Sequence, residues 1–346
     1  MSERIEIRTL SDGGQQPGEI ARVVAAFLDE ATATLDLAQY DFNLGAENVA
    51  VVGDAIRRAH ERGVHIRFAY NLDHGNPIPV PPPPEPDAKL IATLPVEGKG
   101  IAGIPDLMHH KYVIRDGTAV WTGSLNWTDD SWSRQENVVV IVRSEAIAKA
   151  YRIDFDQLWS TGDVEQTGFV DPRDADGLRA WFTPGHGEDL SARMAKLIRR
   201  AKRRVRICSP VITTGPVLGT LAQVIADRSV DLAGCVDATQ IREVIHQWRT
   251  NRNVSWKLPL LQQVMAGPFT GKESTPYGDG TVHDFMHAKI CVCDDTSFVG
   301  SFNLSRSGEK NAENVLEIDD AAVADRLADY VDRVHAKYGP VVLPRA

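Results

Sequence analysis

The chain has 346 residues, 43% hydrophobic and 25% charged, enough for two hydrophobic cores in an ordinary globular protein. Lys and Arg total 38 against 47 Asp and Glu, and the net charge of -9 excludes a global positive field drawing the molecule to nucleic acid or anionic lipid. No run approaches the roughly 18 apolar residues that cross a bilayer, and the first residues carry no apolar signal core, so a cytoplasmic location is expected.

Taken in chain order, the periodicity from Glu19 predicts a helix, followed by a strand over Leu35 to Phe42, a helix over Glu47 to Arg62 and a strand over His65 to Tyr70. The prolines between Pro77 and Pro86 predict a stiff polyproline segment framing a cleft. Next come a strand and hairpin in "MHHKYVIRDGTAVWTGSLNWT" (Met108 to Thr128) and a helix over Glu145 to Trp159. A linker is expected near Gly168 to Gly177, between halves spanning residues 1–167 and 178–346. Beyond it, a helix from Asp189 leads to strands over Val205 to Val211, Val230 to Val236 and His287 to Cys293, and a helix over Ala321 to Lys337 closes the chain. Cys208, Cys235, Cys291 and Cys293 fall in apolar runs without C-x-x-C spacing and read as buried free thiols.

The two halves repeat. "MHAKICVCDDTSFVGSFNLS" (Met286 to Ser305) answers the first hairpin: His287, Lys289 and Asp294 match His109, Lys111 and Asp116 at an offset of 178. Gly300, Ser301 and Asn303 match Gly123, Ser124 and Asn126 at 177, so one residue is lost in the connecting turn. Glu136 and Glu313 each stand ten residues beyond their asparagine, and the helix from Glu19 aligns with that from Asp189 at an offset of 170. Alternating helices and strands in both copies predict two α/β halves related by a pseudo-twofold.

On a strand, residues two apart share a face, so His109 groups with Lys111 and Ser124 with Asn126. Two such patches facing each other offer ammonium, amide and hydroxyl donors around two imidazoles, which suits a phosphate gaining charge in a transition state. One imidazole can attack phosphorus while the other protonates the leaving oxygen and then activates water. A glutamate accepting an Nδ1 proton would leave Nε2 free to attack.

His-x-Lys, four residues, Asp, then Gly-Ser-x-Asn, twice in one chain, resembles the phospholipase D superfamily, and the first copy is similar to cardiolipin hydrolases and small endonucleases of that superfamily. The resemblance implies two α/β/α sandwich halves with mixed sheets and a site at their interface. It implies His109 as nucleophile, His287 as general acid and base, and Lys111, Lys289, Asn126 and Asn303 as phosphate ligands, with Ser124 and Ser301 in support. Glu136 and Glu313 match the acids that bond the histidines, and Asp116 and Asp294 match aspartates that are mainly structural. No metal or organic cofactor is implied.

A metal site built on His109 with His110, or on His283, Asp284 and His287, is disfavoured by a lysine ammonium beside each proposed ligand. The run "IRRAKRRVRI" (Ile198 to Ile207) ends a predicted helix and reads as a solvated face before a nucleic-acid patch. Trp127, with Trp248 and Trp256 in the Arg- and Lys-bearing segment Glu243 to Phe269, are candidate rim residues for stacked bases or a lipid headgroup. The expected activity is phosphodiester hydrolysis or transfer on a phospholipid, with nuclease activity and non-catalytic binding as alternatives. With both motifs in one chain, a monomer suffices.

Overall fold

The repeated pattern of apolar runs and amphipathic stretches folds into two seven-stranded sheets of identical connectivity. The computed structural model describes residues 4–73, 85–251, 253–278 and 280–343. Its first half runs β1 (Ile5–Leu10), α1 (Pro17–Asp29), β2 (Thr34–Gln39), β3 (Phe42–Asn43), α2 (Ala46–Glu61), β4 (His65–Leu72), α3 (Ala88–Ile91), β5 (Glu97–Ala102), β6 (Lys111–Arg115), β7 (Ala119–Gly123), β8 (Trp127–Thr128), α4 (Asp129–Ser133), β9 (Asn137–Arg143) and α5 (Glu145–Thr161). The second runs β10 (Leu178–Thr183), α6 (Gly187–Arg200), β11 (Arg204–Cys208), α7 (Gly215–Asp227), β12 (Asp231–Asp237), α8 (Ala238–Thr250), α9 (Leu258–Met265), β13 (Phe269–Lys272), β14 (Ile290–Cys293), β15 (Thr296–Gly300), β16 (Glu313–Asp319) and α10 (Ala321–Lys337).

Strand order is β1-β9-β7-β6-β2-β4-β5 in one sheet and β10-β16-β15-β14-β11-β12-β13 in the other. In both, the three strands at one edge are parallel and the rest antiparallel, as β2 with β4 and β11 with β12 show. One core lies between the sheets, where Tyr151 and Phe155 of α5 and Leu327 and Val331 of α10 pack with side chains of both. Two outer cores join the opposite sheet faces to α1 and α2, and to α6, α7 and α8. The layers are therefore helix, sheet, shared helices, sheet, helix. The four cysteines are free and buried, as expected.

Local chemistry sets the element boundaries. Gln16 and Glu19 form a capping box with Pro17 opening α1, while Ser144 caps α5 and Gly162, at φ 68°, stops it. The two hairpins turn at Asp116 and Asp294, both left-handed at φ 52° and 54°. Asp116 accepts the backbone N–H groups of Thr32, Ala33 and Thr34 at 2.7–2.9 Å, and Asp294 those of Lys202, Arg203 and Arg204 at 2.8–3.1 Å. Burial alone would raise both carboxyls, but these donors outweigh it and hold them below the usual range. Each motif aspartate thus pins the central strand beside its hairpin.

Four edge strands, β1, β5, β10 and β13, escaped the sequence reading: they are short, and β5 and β13 carry glycines that weaken any strand signal. The expected strand at Leu35 to Phe42 ends at Gln39 and the one at Val205 to Val211 ends at Cys208, because the chain leaves both sheets where the cleft opens. The strand expected from His287 starts at Ile290. Arginines of the basic run are paired, Arg203 with Asp295, Arg204 with Asp325, and Arg206 with Asp231 and Asp332, so these charges are met within the protein. The proline segment falls largely outside the described residues, as does Arg252.

Candidate active site

His109 and His287 stand just before β6 and β14, where each half hydrogen-bonds to the other. The His109 N–H donates to Ala312 O at 2.9 Å and the His287 N–H to Glu136 O at 3.1 Å. Short parallel bridges join Met108 to Ala312 and Met286 to Glu136. Both histidines, with Asn126 and Asn303, line one cleft of about 660 Å³ between the halves.

The Gly-Ser-x-Asn turns follow from backbone crowding. A Cβ at Gly123 would lie 2.1 Å from Val138 O, and one at Gly300 would lie 2.0 Å from Asn314 O, so only glycine fits. Ser124 and Ser301 then accept the N–H groups of Val138 and Asn314 at 3.0 Å. Neither serine lines the cleft; both lock the turn that presents the asparagine.

Lys111 and Lys289 are buried, and each donates to the carbonyl of its own histidine, at 2.8 and 2.7 Å. Burying an ammonium penalises its charge: Lys111 is pushed down to about 7, and Lys289 falls well below its ordinary value through burial and the charge of Lys111. Burial raises Glu313 to about 7 against the pull of the lysines. His287 is held well below its ordinary value by burial, then by Lys289 and Lys111.

The pseudo-symmetry fails at the groups that orient the imidazoles. Glu313 Oε2 lies 2.7 Å from His109 Nδ1, so this carboxylate reaches across to the histidine of the other half. Its counterpart Glu136 does not reach His287. Glu136 instead pairs with Lys272 Nζ at 2.9 Å and Lys337 Nζ at 3.2 Å and accepts from the Tyr338 hydroxyl. Lys272 on β13 and the residues ending α10 draw it away, a tertiary effect invisible in the motif. In its place Asn137 Oδ1 sits 3.2 Å from His287 Nδ1, while the Asn137 amide nitrogen donates to Ser131 O at 3.1 Å. That orientation leaves the amide oxygen to accept, so His287 carries its proton on Nδ1 and exposes Nε2.

Several site residues had no sequence signal. Tyr40, just past β2, stands edge-on to His109 with ring centroids 4.6 Å apart, and Lys111 Nζ lies 4.7 Å from its centroid. The neighbouring Asp41 carboxyl is raised by burial to about 7. Their place where a central strand ends was the available clue. Trp127, expected at the rim, is fully buried in an outer core, because β8 turns it inward against Phe42. Trp248 does line the cleft, and Trp256 is exposed beside it. His110 is buried with Nε2 3.1 Å from Asp154, whereas His283 lines the cleft between Tyr277 and Phe285. Among the described residues no three His, Cys, Asp or Glu side chains are grouped to hold a metal ion, and no helix is long and apolar enough to cross a membrane.

Two mixed sheets joined at paired His-x-Lys hairpins define a phospholipase D-like fold, and residues 24–159 and 194–335 each match the family model described as cardiolipin synthase, PLD-like domain. The chain belongs to the phospholipase D superfamily. It is 37% identical over 79 residues to a mitochondrial cardiolipin hydrolase of Xenopus laevis, covering 22% of this chain and 38% of the relative. To the human mitochondrial cardiolipin hydrolase it is 26% identical over 179 residues, covering 50% and 65%. The chain therefore spans less than two thirds of the length of these curated relatives. The crystal structure of phosphatidylserine synthase from Haemophilus influenzae Rd KW20 superposes with a TM-score of 0.68 over 96% of this chain and 86% of that one, at 14% identity, and shows the shared fold.

Proposed function

We propose that the chain is a phosphodiesterase that cleaves a phospholipid headgroup ester through a covalent phosphohistidine on His109, without a metal. The observation that carries this reading is the pair across the halves: His109 is held at Nδ1 by buried Glu313 and opens on the same cleft as His287. Glu313 keeps the Nδ1 tautomer, so the lone pair of His109 Nε2 forms the N–P bond as the bond to the leaving oxygen breaks. His287 gives that oxygen a proton. Burial, and then the charges of Lys289 and Lys111, hold His287 below its ordinary value; a phosphodiester anion arriving in the cleft adds a negative charge that favours the imidazolium, so the proton is taken up with substrate. In the second step His287 takes a proton from water, water oxygen bonds to phosphorus, and His109 leaves. An alcohol in place of water makes the same step a transfer.

The walls of the cleft favour lipid over nucleic acid. On the first half they carry Asp41, Asp106, Asp129 and Asp130, which outnumber the Lys257 and Arg306 of the second half and repel a polyanion; the second half adds Val211, Val244 and Trp248, which suit an apolar tail. The similarity to proteins named cardiolipin hydrolases supports the same choice. Since each half supplies one motif, a single chain acts alone. The test is purified protein with chelator present on phosphatidylcholine vesicles, cardiolipin vesicles, single- and double-stranded DNA, and RNA. Phospholipid cleavage is expected. Cleavage of nucleic acid alone overturns the substrate, and activity that needs added zinc overturns the mechanism.

A further inference from the structure

Among the described residues six large apolar side chains are exposed: Ile104, Ile153, Phe169, Trp256, Val282 and Val342. Three of them flank the cleft, and each comes from a different segment. Ile104, 57% exposed, precedes Pro105, Asp106 and Leu107, which line the cleft. Trp256, 62% exposed, precedes the lining residue Lys257 in the turn before α9, and Val282, 38% exposed, stands between the lining residues Thr281 and His283. Exposed apolar side chains from both halves thus adjoin, along the chain, the residues that line the polar cleft.

We propose that this rim is the surface by which the protein docks on a phospholipid bilayer, with Ile104, Trp256 and Val282 dipping among the lipids while the cleft mouth faces the headgroups. Trp256 is built for the boundary. Lys257 Nζ lies 5.6 and 5.7 Å from the ring centroids of Trp248 and Trp256 and donates to Thr213 O at 3.1 Å, so a cation, an anchored ring and an exposed ring stand together. Indole rings prefer the level of the headgroups, where one face meets lipid and the N–H meets water.

A bilayer fits this rim better than a second copy of the chain. Isolated side chains on three segments, separated by polar residues, do not form the continuous area of about 1,000 Å² that a stable protein interface needs, whereas shallow insertion needs only separate anchors. Charge settles the kind of bilayer. With a net charge of -9 and Asp41, Asp106, Asp129 and Asp130 outnumbering Lys257 and Arg306 on the cleft wall, the face is not drawn to an anionic surface. Docking is therefore driven by apolar insertion into a zwitterionic surface and persists when salt is raised.

This inference rests on the phospholipid reading, and the test separates the two. Binding is measured by sedimentation with phosphatidylcholine vesicles in a His109→Asn background that leaves the vesicles intact; rates are measured without that change on monomeric dihexanoyl phosphatidylcholine. The triple variant Ile104→Ser, Trp256→Ser, Val282→Ser should lower the bound fraction at least about tenfold while keeping the rate on monomeric substrate. The control variant Ile153→Ser, Phe169→Ser, whose sites do not adjoin cleft residues, should bind as the parent does. Unchanged binding by the triple variant overturns the proposal, as does an equal loss of rate on monomeric substrate. Binding abolished by salt, or a dimer of the parent that the triple variant dissolves, also overturns it. If the protein cleaves no monomeric phospholipid, the functional reading fails while the binding comparison still decides the docking.

Discussion

Glu313 of the second half holds His109 of the first, Oε2 to Nδ1 at 2.7 Å, whereas the equivalent Glu136 leaves His287 to Asn137 and binds Lys272. Two copies of one motif therefore put unlike groups behind their histidines. A carboxylate raises the basicity of the imidazole it holds; an amide orients without charge. This inequality favours His109 as nucleophile and His287 as the group that trades protons.

The two glutamates should accordingly fail differently. Glu313→Gln should lower kcat by about 10²–10⁴-fold, in the range for loss of an orienting acid or an acid–base contribution, with little change in melting temperature. Glu136→Gln should keep kcat within about tenfold but lower the melting temperature, since Lys272 loses a buried partner, a class of change that costs about 3–5 kcal/mol when nothing replaces it. Asp12, 3.1 Å from Lys272, recovers part of that loss. Steady-state kinetics and calorimetry on both variants check the contrast.

A narrow bell is expected in the pH dependence of kcat/KM. Glu313 must be ionised to accept from His109, so activity rises with pH through its value of about 7. Lys111 must be protonated to favour the phosphate and His287 must take up a proton with substrate, so activity falls as pH rises, with Lys111 also at about 7. The limbs belong to a coupled cluster and are read as apparent values. Lys111→Arg, with a charge that does not titrate in this range, should move the alkaline limb upward while reducing the maximum.

Asp116 and Asp294 should prove structural. Replacing either with Ala strands three backbone N–H groups and puts a non-glycine, non-Asx residue at positive φ. A loss of about 1–3 kcal/mol in urea unfolding is expected. Asn tolerates the left-handed turn and should recover part of it. The rate on monomeric substrate per folded molecule should stay within about twofold for the Asn variants, since neither aspartate lines the cleft.

The sequence made legible what repeats or alternates. Paired motifs, the lost residue in the second hairpin and the helices after each closing strand all follow from residue identity at fixed spacing. Tertiary competition was hidden: the capture of Glu136 by Lys272 joins residues 136 positions apart and has no mark in either motif. Trp127 shows the same limit: expected at the rim, it is turned inward by the pairing of β3 with β8. Tyr40 and Asp41 were missed because the apolar run reads as one strand through them, although the sheet ends before they reach the cleft.

The covalent step is the most direct test. His287→Asn is mixed with a p-nitrophenyl phosphodiester, whose leaving oxygen needs no general acid, and quenched within milliseconds in alkaline denaturant, where an N–P bond survives. Peptide mass spectrometry should then find the phosphoryl adduct on the peptide carrying His109, accumulating because no base activates water. Neither His109→Ala nor its combination with His287→Asn should show it. An adduct on His287 in the His109→Ala protein reverses the roles of the two histidines, and absence of any adduct in wild type and His287→Asn while p-nitrophenol is released contradicts the two-step mechanism.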